Sequence, residues 1–175
     1  MRISKILKYL LFVFCFIAFP IMASNVVIEL VVTNEDNEYW HTENKMHTTL
    51  AFAVKTRVED VYMAVEEFNM RYKHLLQMYV EKGFVVEKFT TEGFGKNIHM
   101  LEADDETTKR FNTINKILFF LLEKQYSIDV SEYYTPKIIN PEGYTPHIIF
   151  LETDKIPVKG DVIHFKDYKL QPRIQ

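Results

Sequence analysis

Two short stretches of the sequence place a histidine at the start of an apolar run: Met46-His47-Thr48-Thr49-Leu50-Ala51-Phe52-Ala53-Val54 and Tyr144-Thr145-Pro146-His147-Ile148-Ile149-Phe150-Leu151. Both read as β-strands. Side chains alternate faces along a strand, so His47, Thr49, Ala51 and Ala53 share one face, and Thr48, Leu50, Phe52 and Val54 the other. The second stretch repeats the layout, with His147, Ile149 and Leu151 on one face and Ile148 and Phe150 on the other. Two imidazoles lining one cleft suit phosphoester chemistry. Each ionises near neutrality, so one can take a proton from an attacking hydroxyl or water while the other gives one to the leaving oxygen. The Thr49 hydroxyl, two residues along the same face, can hydrogen-bond a non-bridging phosphate oxygen where charge builds in the transition state. Such chemistry requires no metal and no organic cofactor.

Other candidates carry less. His41 stands six residues before His47, but no carboxylate–histidine spacing completes a metal site. His74 falls on a helix surface, and His99 and His164 read as ordinary strand residues. Tyr39 and Trp40, on the connection leading into the first motif, are placed to stack on a base or to cover the end of the core. Gly93-Phe94-Gly95 lacks the full spacing and the strand-to-helix context of a phosphate loop and reads as a turn.

The chain has 175 residues, of which 47% are hydrophobic and 26% charged, as in one globular domain. Residues 1–24 differ in kind. Arg2, Lys5 and Lys8 precede an apolar run from Tyr9 to Met22 that ends at Ala23-Ser24, the layout of a secretory signal peptide. The run is short of the roughly 20 apolar residues of a membrane span and is interrupted by Pro20. Cleavage is therefore expected, leaving residues 25–175 as a periplasmic or secreted domain with no stable membrane association. The leader holds three of the 21 Lys and Arg residues and no acidic ones, so 18 face 24 Asp and Glu in the remainder. That acidic balance argues against binding long nucleic acid, which needs many phosphate contacts. Cys15, the only cysteine, lies in the leader. The mature chain thus has no thiol chemistry, disulfide or cysteine-ligated zinc.

The elements that must position the histidines follow in order. Asn25 to Thr33 reads as a central strand with Glu29 its one charge, and a polar loop from Asn34 to Lys45 leads into the His47 strand. Val58 to Lys82 reads as one long amphipathic helix with Val58, Val61, Val65, Phe68, Tyr72, Leu75 and Tyr79 on its apolar stripe, stopped by Gly83; Met63, Met70 and Met78 are expected as core fill. Phe84–Phe89 and Asn97–Glu102 form a hairpin. Asp104 or Asp105 caps a second helix that buries Phe111, Ile114, Leu118 and Leu121. Tyr126–Val130 is a candidate short strand. A connection from Ser131 to Tyr144 with Pro136, Pro141 and Gly143 delivers the chain into the His147 strand, and Val162–Leu170 closes the fold as the last strand. The class is α+β, with two similar lobes of antiparallel sheet and helix meeting at the histidine strands.

In its motifs the chain resembles the two-histidine (2H) phosphoesterases, the superfamily of 2′-5′ RNA ligase-like proteins and cyclic phosphodiesterases. His47-Thr48-Thr49-Leu50-Ala51-Phe52 and Pro146-His147-Ile148-Ile149 are similar to its paired His-x-Thr/Ser-hydrophobic motifs, and the element order is similar over essentially the whole mature chain. The resemblance implies a bilobal, pseudo-twofold fold and metal-independent opening or formation of a 2′,3′-cyclic phosphate or 2′-5′ phosphodiester. It implies His47 and His147 as the acid–base pair and Thr49 as a phosphate-binding hydroxyl. The implied partner is a small nucleotide or RNA end carrying a cyclic phosphate, bound by a monomer. Ile149 departs from the pattern, standing where the family has Thr or Ser. One transition-state donor is worth on the order of 10²–10³ in rate, so either Tyr144 or Thr145 substitutes or turnover suffers. Two alternatives stay open: a nucleotide- or phosphate-binding module of the same fold that has lost turnover, and an exported interaction protein without a ligand.

Overall fold

β-Branched and aromatic runs take up strands, and the segments with apolar residues at steps of three and four take up helices, in a computed structural model that describes residues 23–32, 47–90, 98–151 and 157–175. The leader up to Met22, the candidate residue Trp40, with Tyr39 and His41, and the Gly93-Phe94-Gly95 turn lie outside these residues.

The strands are β1 (Ser24–Val31), β2 (His47–Thr56), β3 (Phe84–Thr90), β4 (Ile98–Ala103), β5 (His147–Leu151), β6 (Val162–Ile163) and β7 (Gln171–Ile174). Helices α1 (Val58–Arg71) and α2 (Lys73–Val80) follow β2, and α3 (Asp105–Phe120) follows β4. All strands belong to one antiparallel sheet in the order β6-β3-β4-β5-β2-β1-β7. The mixed α+β class is as the sequence predicts. The two halves are joined edge to edge through β5 and β2, so the histidine strands are direct neighbours in a continuous sheet.

The core lies on one face of this sheet. Ile28, Leu30, Leu50, Leu101 and Ile148 from the strands pack against Val61, Val65 and Phe68 of α1, Leu76 and Val80 of α2, and Phe111, Ile114 and Leu118 of α3. Asp104 caps α3, its side chain accepting a hydrogen bond from the Thr107 amide at 2.8 Å. Gly83 follows α2 with φ +73°, a conformation that lets the chain turn directly into β3. Arg110 stitches that turn to α3 by donating to the carbonyls of Tyr79 and Gly83.

Four local expectations are corrected. The long helix is two, because Tyr72 departs from helical geometry (φ −111°, ψ 21°) and divides α1 from α2. Met63, Met70 and Met78 are exposed, since the Val61-Ala64-Val65-Phe68 stripe and its continuation at Leu76 already fill the sheet-facing side. The candidate strand 126–130 is instead the exit from a π-helical turn over Leu121–Gln125, touching the sheet only through a bridge from Val130 to Ala53. The last strand is not Val162–Leu170. Only Val162–Ile163 pairs there, with an isolated bridge at Phe165, and the chain then bends to place Gln171–Ile174 along β1 as an edge strand. Pro172 is tolerated because an edge strand has a side with no ladder to serve.

Candidate active site

The face of the sheet opposite the helices carries both histidines. His47 of β2 is paired with Ile149 of β5. In an antiparallel register set by that pair, His147 falls beside Thr49, so His47, Thr49, His147 and Ile149 occupy four corners of one patch with the histidines on a diagonal. The neighbouring strands extend it. Glu102 on β4 pairs with His147 and Met100 with Ile149, while Lys88 and Thr90 on β3 pair with Glu102 and Met100. On the other side Glu29 of β1 pairs with Thr49, and Gln171 of β7 with Glu29. One row across the sheet is thus Lys88, Glu102, His147, Thr49, Glu29 and Gln171, polar throughout, beside a row of Thr90, Met100, Ile149 and His47.

The sequence reading of β2 holds only as far as Leu50. Ile28 pairs with Ala51 and Glu29 with Thr49, so Leu50 is an extra residue and β2 bulges there. The bulge reverses the alternation. Ala51 and Ala53 are buried in the core with Leu50, and Phe52 turns to the cleft face, contrary to the regular strand expected. Asn115 of α3 donates to the Leu50 carbonyl and to that of Tyr134, both at 2.8 Å, and so ties the bulge to the connection before β5. Tyr134 stacks on Phe52 with 6.4 Å between centroids. Its phenol is raised above the usual tyrosine range by burial, a rise moderated by a hydrogen bond with Thr49. The connection holds this shape by a close backbone approach at Gly143, where a Cβ would lie 2.0 Å from the Thr135 carbonyl oxygen.

Each histidine is held differently. His147 has its Nδ1 2.8 Å from the Thr145 carbonyl oxygen, which puts the proton on Nδ1 and leaves the Nε2 lone pair available. Burial pushes its pKa below the usual histidine range, with the Thr145 bond and the Glu102 carboxylate opposing and His47 adding to the effect. His47 presents Nε2 to Glu29 Oε2 and to Arg173 Nη2, 3.5 Å from each. Glu29 is only 4% exposed and accepts three hydrogen bonds from Arg173, at 3.0–3.2 Å. Glu102 is more open, with Lys88 at 3.8 Å and Thr90 Oγ1 at 3.3 Å.

Of the residues singled out in the sequence, His47, Thr49, His147 and Ile149 share this patch. Tyr144 does not. It is fully buried, its hydroxyl near that of Thr48 but in hydrogen-bonding geometry with no protein group, and its pKa is raised by burial. It cannot reach the cleft face as a stand-in for the missing hydroxyl of Ile149. Thr145 serves His147 through its carbonyl instead. His99 lies on the core-side face against Phe89, with 5.1 Å between ring centroids, and His74 is exposed on α2. Among the described residues no group of three His, Cys, Asp or Glu side chains is arranged to hold a metal.

No family model matches this chain, and no curated protein matches it. Among solved structures, the crystal structure of the MHV ns2 PDE domain aligns over 87% of this chain and 90% of that one, at 12% identity and a TM-score of 0.44. A likeness at that level assigns no activity.

Proposed function

We propose that this chain is a phosphoesterase that opens 2′,3′-cyclic phosphates or cleaves 2′-5′ phosphodiesters at RNA ends by a metal-independent two-histidine mechanism. The observation that carries this reading is the diagonal of His47 and His147 around Thr49 on one sheet face. His147, neutral and with Nδ1 committed to Thr145, accepts a proton from water at Nε2. The water oxygen bonds to phosphorus, the bond from phosphorus to one ribose oxygen breaks, and that oxygen takes a proton from Nε2 of His47. The product is a phosphomonoester with a free hydroxyl, and one water is consumed. Thr49, beside the Tyr134 phenol, donates to a non-bridging oxygen. The acidic balance of the chain argues against long nucleic acid, and the substrate on this reading is a small nucleotide or an RNA end carrying a cyclic phosphate, bound by a monomer. The leader delivers the domain to the periplasm or the medium, and sequencing of exported protein is expected to start at Asn25.

A second reading, a binding module without turnover, is favoured by Ile149 and Met100, which give the patch an apolar corner where a second donor is absent. Incubating the full chain with the four 2′,3′-cyclic mononucleotides in EDTA, beside His47→Ala and His147→Ala, separates the two. Turnover in EDTA that disappears in both variants is the expected result. Binding without turnover, weakened in both variants, would replace the enzyme with the binding module, and neither turnover nor binding would end both.

A further inference from the structure

His47 Nε2 stands at equal distance, 3.5 Å, from an acceptor and a donor that are locked to each other. Glu29 Oε2 can face a proton on Nε2, and Arg173 Nη2 can face the lone pair left when that proton has gone. Both partners are fixed independently of the histidine. Arg173 grips the carboxylate through Nε and Nη2, and β7 holds Arg173 in place by pairing with β1. An acid that works in cycles must be stable in both protonation states, without its ring turning away as the proton leaves.

We propose that Glu29 and Arg173 form a positioning pair that gives His47 Nε2 a partner before and after it donates its proton. This rests on the two-histidine reading for its chemical purpose, although the pair itself is defined by the contacts alone. Glu29 supports the imidazolium, Arg173 supports the neutral ring, and their mutual neutralisation leaves no uncompensated negative charge beside an incoming phosphate. Among the described residues the titratable and charged groups facing His47 are Glu29 from β1, Arg173 from β7 and His147 from β5. The first two act with opposite sign.

That opposition makes the test specific. Histidine ring signals of the full chain, labelled with ¹⁵N, are followed through a pH titration in the wild type, Glu29→Gln and Arg173→Met, and kcat and KM against pH are measured on 2′,3′-cyclic AMP. Loss of the carboxylate 3.5 Å from Nε2 moves the His47 midpoint to lower pH, and loss of the guanidinium at the same distance moves it to higher pH. The alkaline limb of the kcat profile follows in the same directions, with smaller changes in KM. A change that merely loosened the fold would not send the two variants opposite ways. If both midpoints stay at the wild-type value, or move together, the pair is overturned even where the enzyme turns over. If they part as expected and no variant, wild type included, has activity, the positioning pair stands and the phosphoesterase reading fails. Should Glu29→Gln not fold, Arg173→Met decides by its direction, since its side chain is 44% exposed.

Discussion

His47 and His147 sit on paired strands at opposite corners of one patch, yet the two sides of that patch are built from different materials. On the His47 side a carboxylate with 5% side-chain exposure is held by three hydrogen bonds from an arginine, and a tyrosine stacks on Phe52 of the same strand. On the His147 side the carboxylate is a third exposed, its cation is an exposed lysine at 3.8 Å, the ring is fixed by a backbone carbonyl, and the position matching Thr49 is Ile149. Two histidines alike in sequence thereby become unlike in chemistry. Burial favours the neutral form of one, and an ordered ion pair attends the ring nitrogen of the other. Motif symmetry alone leaves acid and base interchangeable, whereas the proposed assignment of roles rests on these surroundings.

The sharpest way to break that comparison is to change the leaving group. A nitrophenolate needs no proton on departure, so a nitrophenyl phosphodiester should restore much of the rate of His47→Ala and none of that of His147→Ala. On a 2′,3′-cyclic phosphate, the substrate proposed, each variant should lose on the order of 10²–10⁴ in kcat, the usual worth of a positioned acid or base. Equal rescue of both, or rescue of His147→Ala only, would reverse or abolish the assignment of roles.

Next in size is the apolar corner. Ile149→Thr restores a hydroxyl at the position diagonal to Thr49, facing Met100 rather than a carboxylate. If the two sides differ chiefly by this donor, kcat for a cyclic mononucleotide should rise towards the 10²–10³ that one such donor is worth. An unchanged or lower rate would mean that the Ile149–Met100 corner contributes apolar contact that the substrate uses.

A further contrast concerns pH and stability. Because folding lowers the pKa of His147, the unfolded chain binds more protons in the window below the ordinary histidine value of about 6.5, and stability falls as pH drops through it. His147→Gln should flatten that part of the curve. Urea midpoints at pH 7.5 and pH 5 for the two proteins would check it, a slope unchanged by the substitution being the contrary result.

How much of this could be read from the residues alone depends on how local each feature is. The strand at His47, the hairpin, the Asp104 cap and the Phe111-Ile114-Leu118 stripe depend on neighbours a few residues away, and the sequence carries them plainly. Glu29 was visible as the one charge in an apolar strand, but not its purpose, because Arg173 lies 144 residues further on. Arg173 itself was hidden by its setting. A four-residue segment containing Pro172 has little strand signal, and what makes it a strand is the free edge of β1. The bulge at Leu50 left no signal in β2 either, since Leu50-Ala51-Phe52-Ala53 satisfies regular alternation on paper. Its trace was on α3, where Asn115 interrupts an apolar stripe in order to answer the Leu50 carbonyl. Exposed Met63, Met70 and Met78 were misread because hydrophobicity says that a residue can be buried, not which side of a helix the sheet will cover.

The smallest effect expected separates the two carboxylates by stability. Lys88 is 64% exposed and sits 3.8 Å from Glu102, itself 36% exposed, so water screens the pair and Lys88→Met should change stability by less than about 0.5 kcal/mol. Arg173→Met removes three hydrogen bonds from a carboxylate that has almost no water to replace them, at a cost of about 1–3 kcal/mol. Partial exposure of Arg173 keeps the figure at that level, since solvent can approach the vacated space. Urea denaturation of the two variants at pH 7.5, where burial keeps His147 neutral, compares the ion pairs without interference from its charge. Should the two losses prove equal, burial would not be what distinguishes Glu29 from Glu102, and the difference between the two halves would rest on the histidine rings and Ile149 alone.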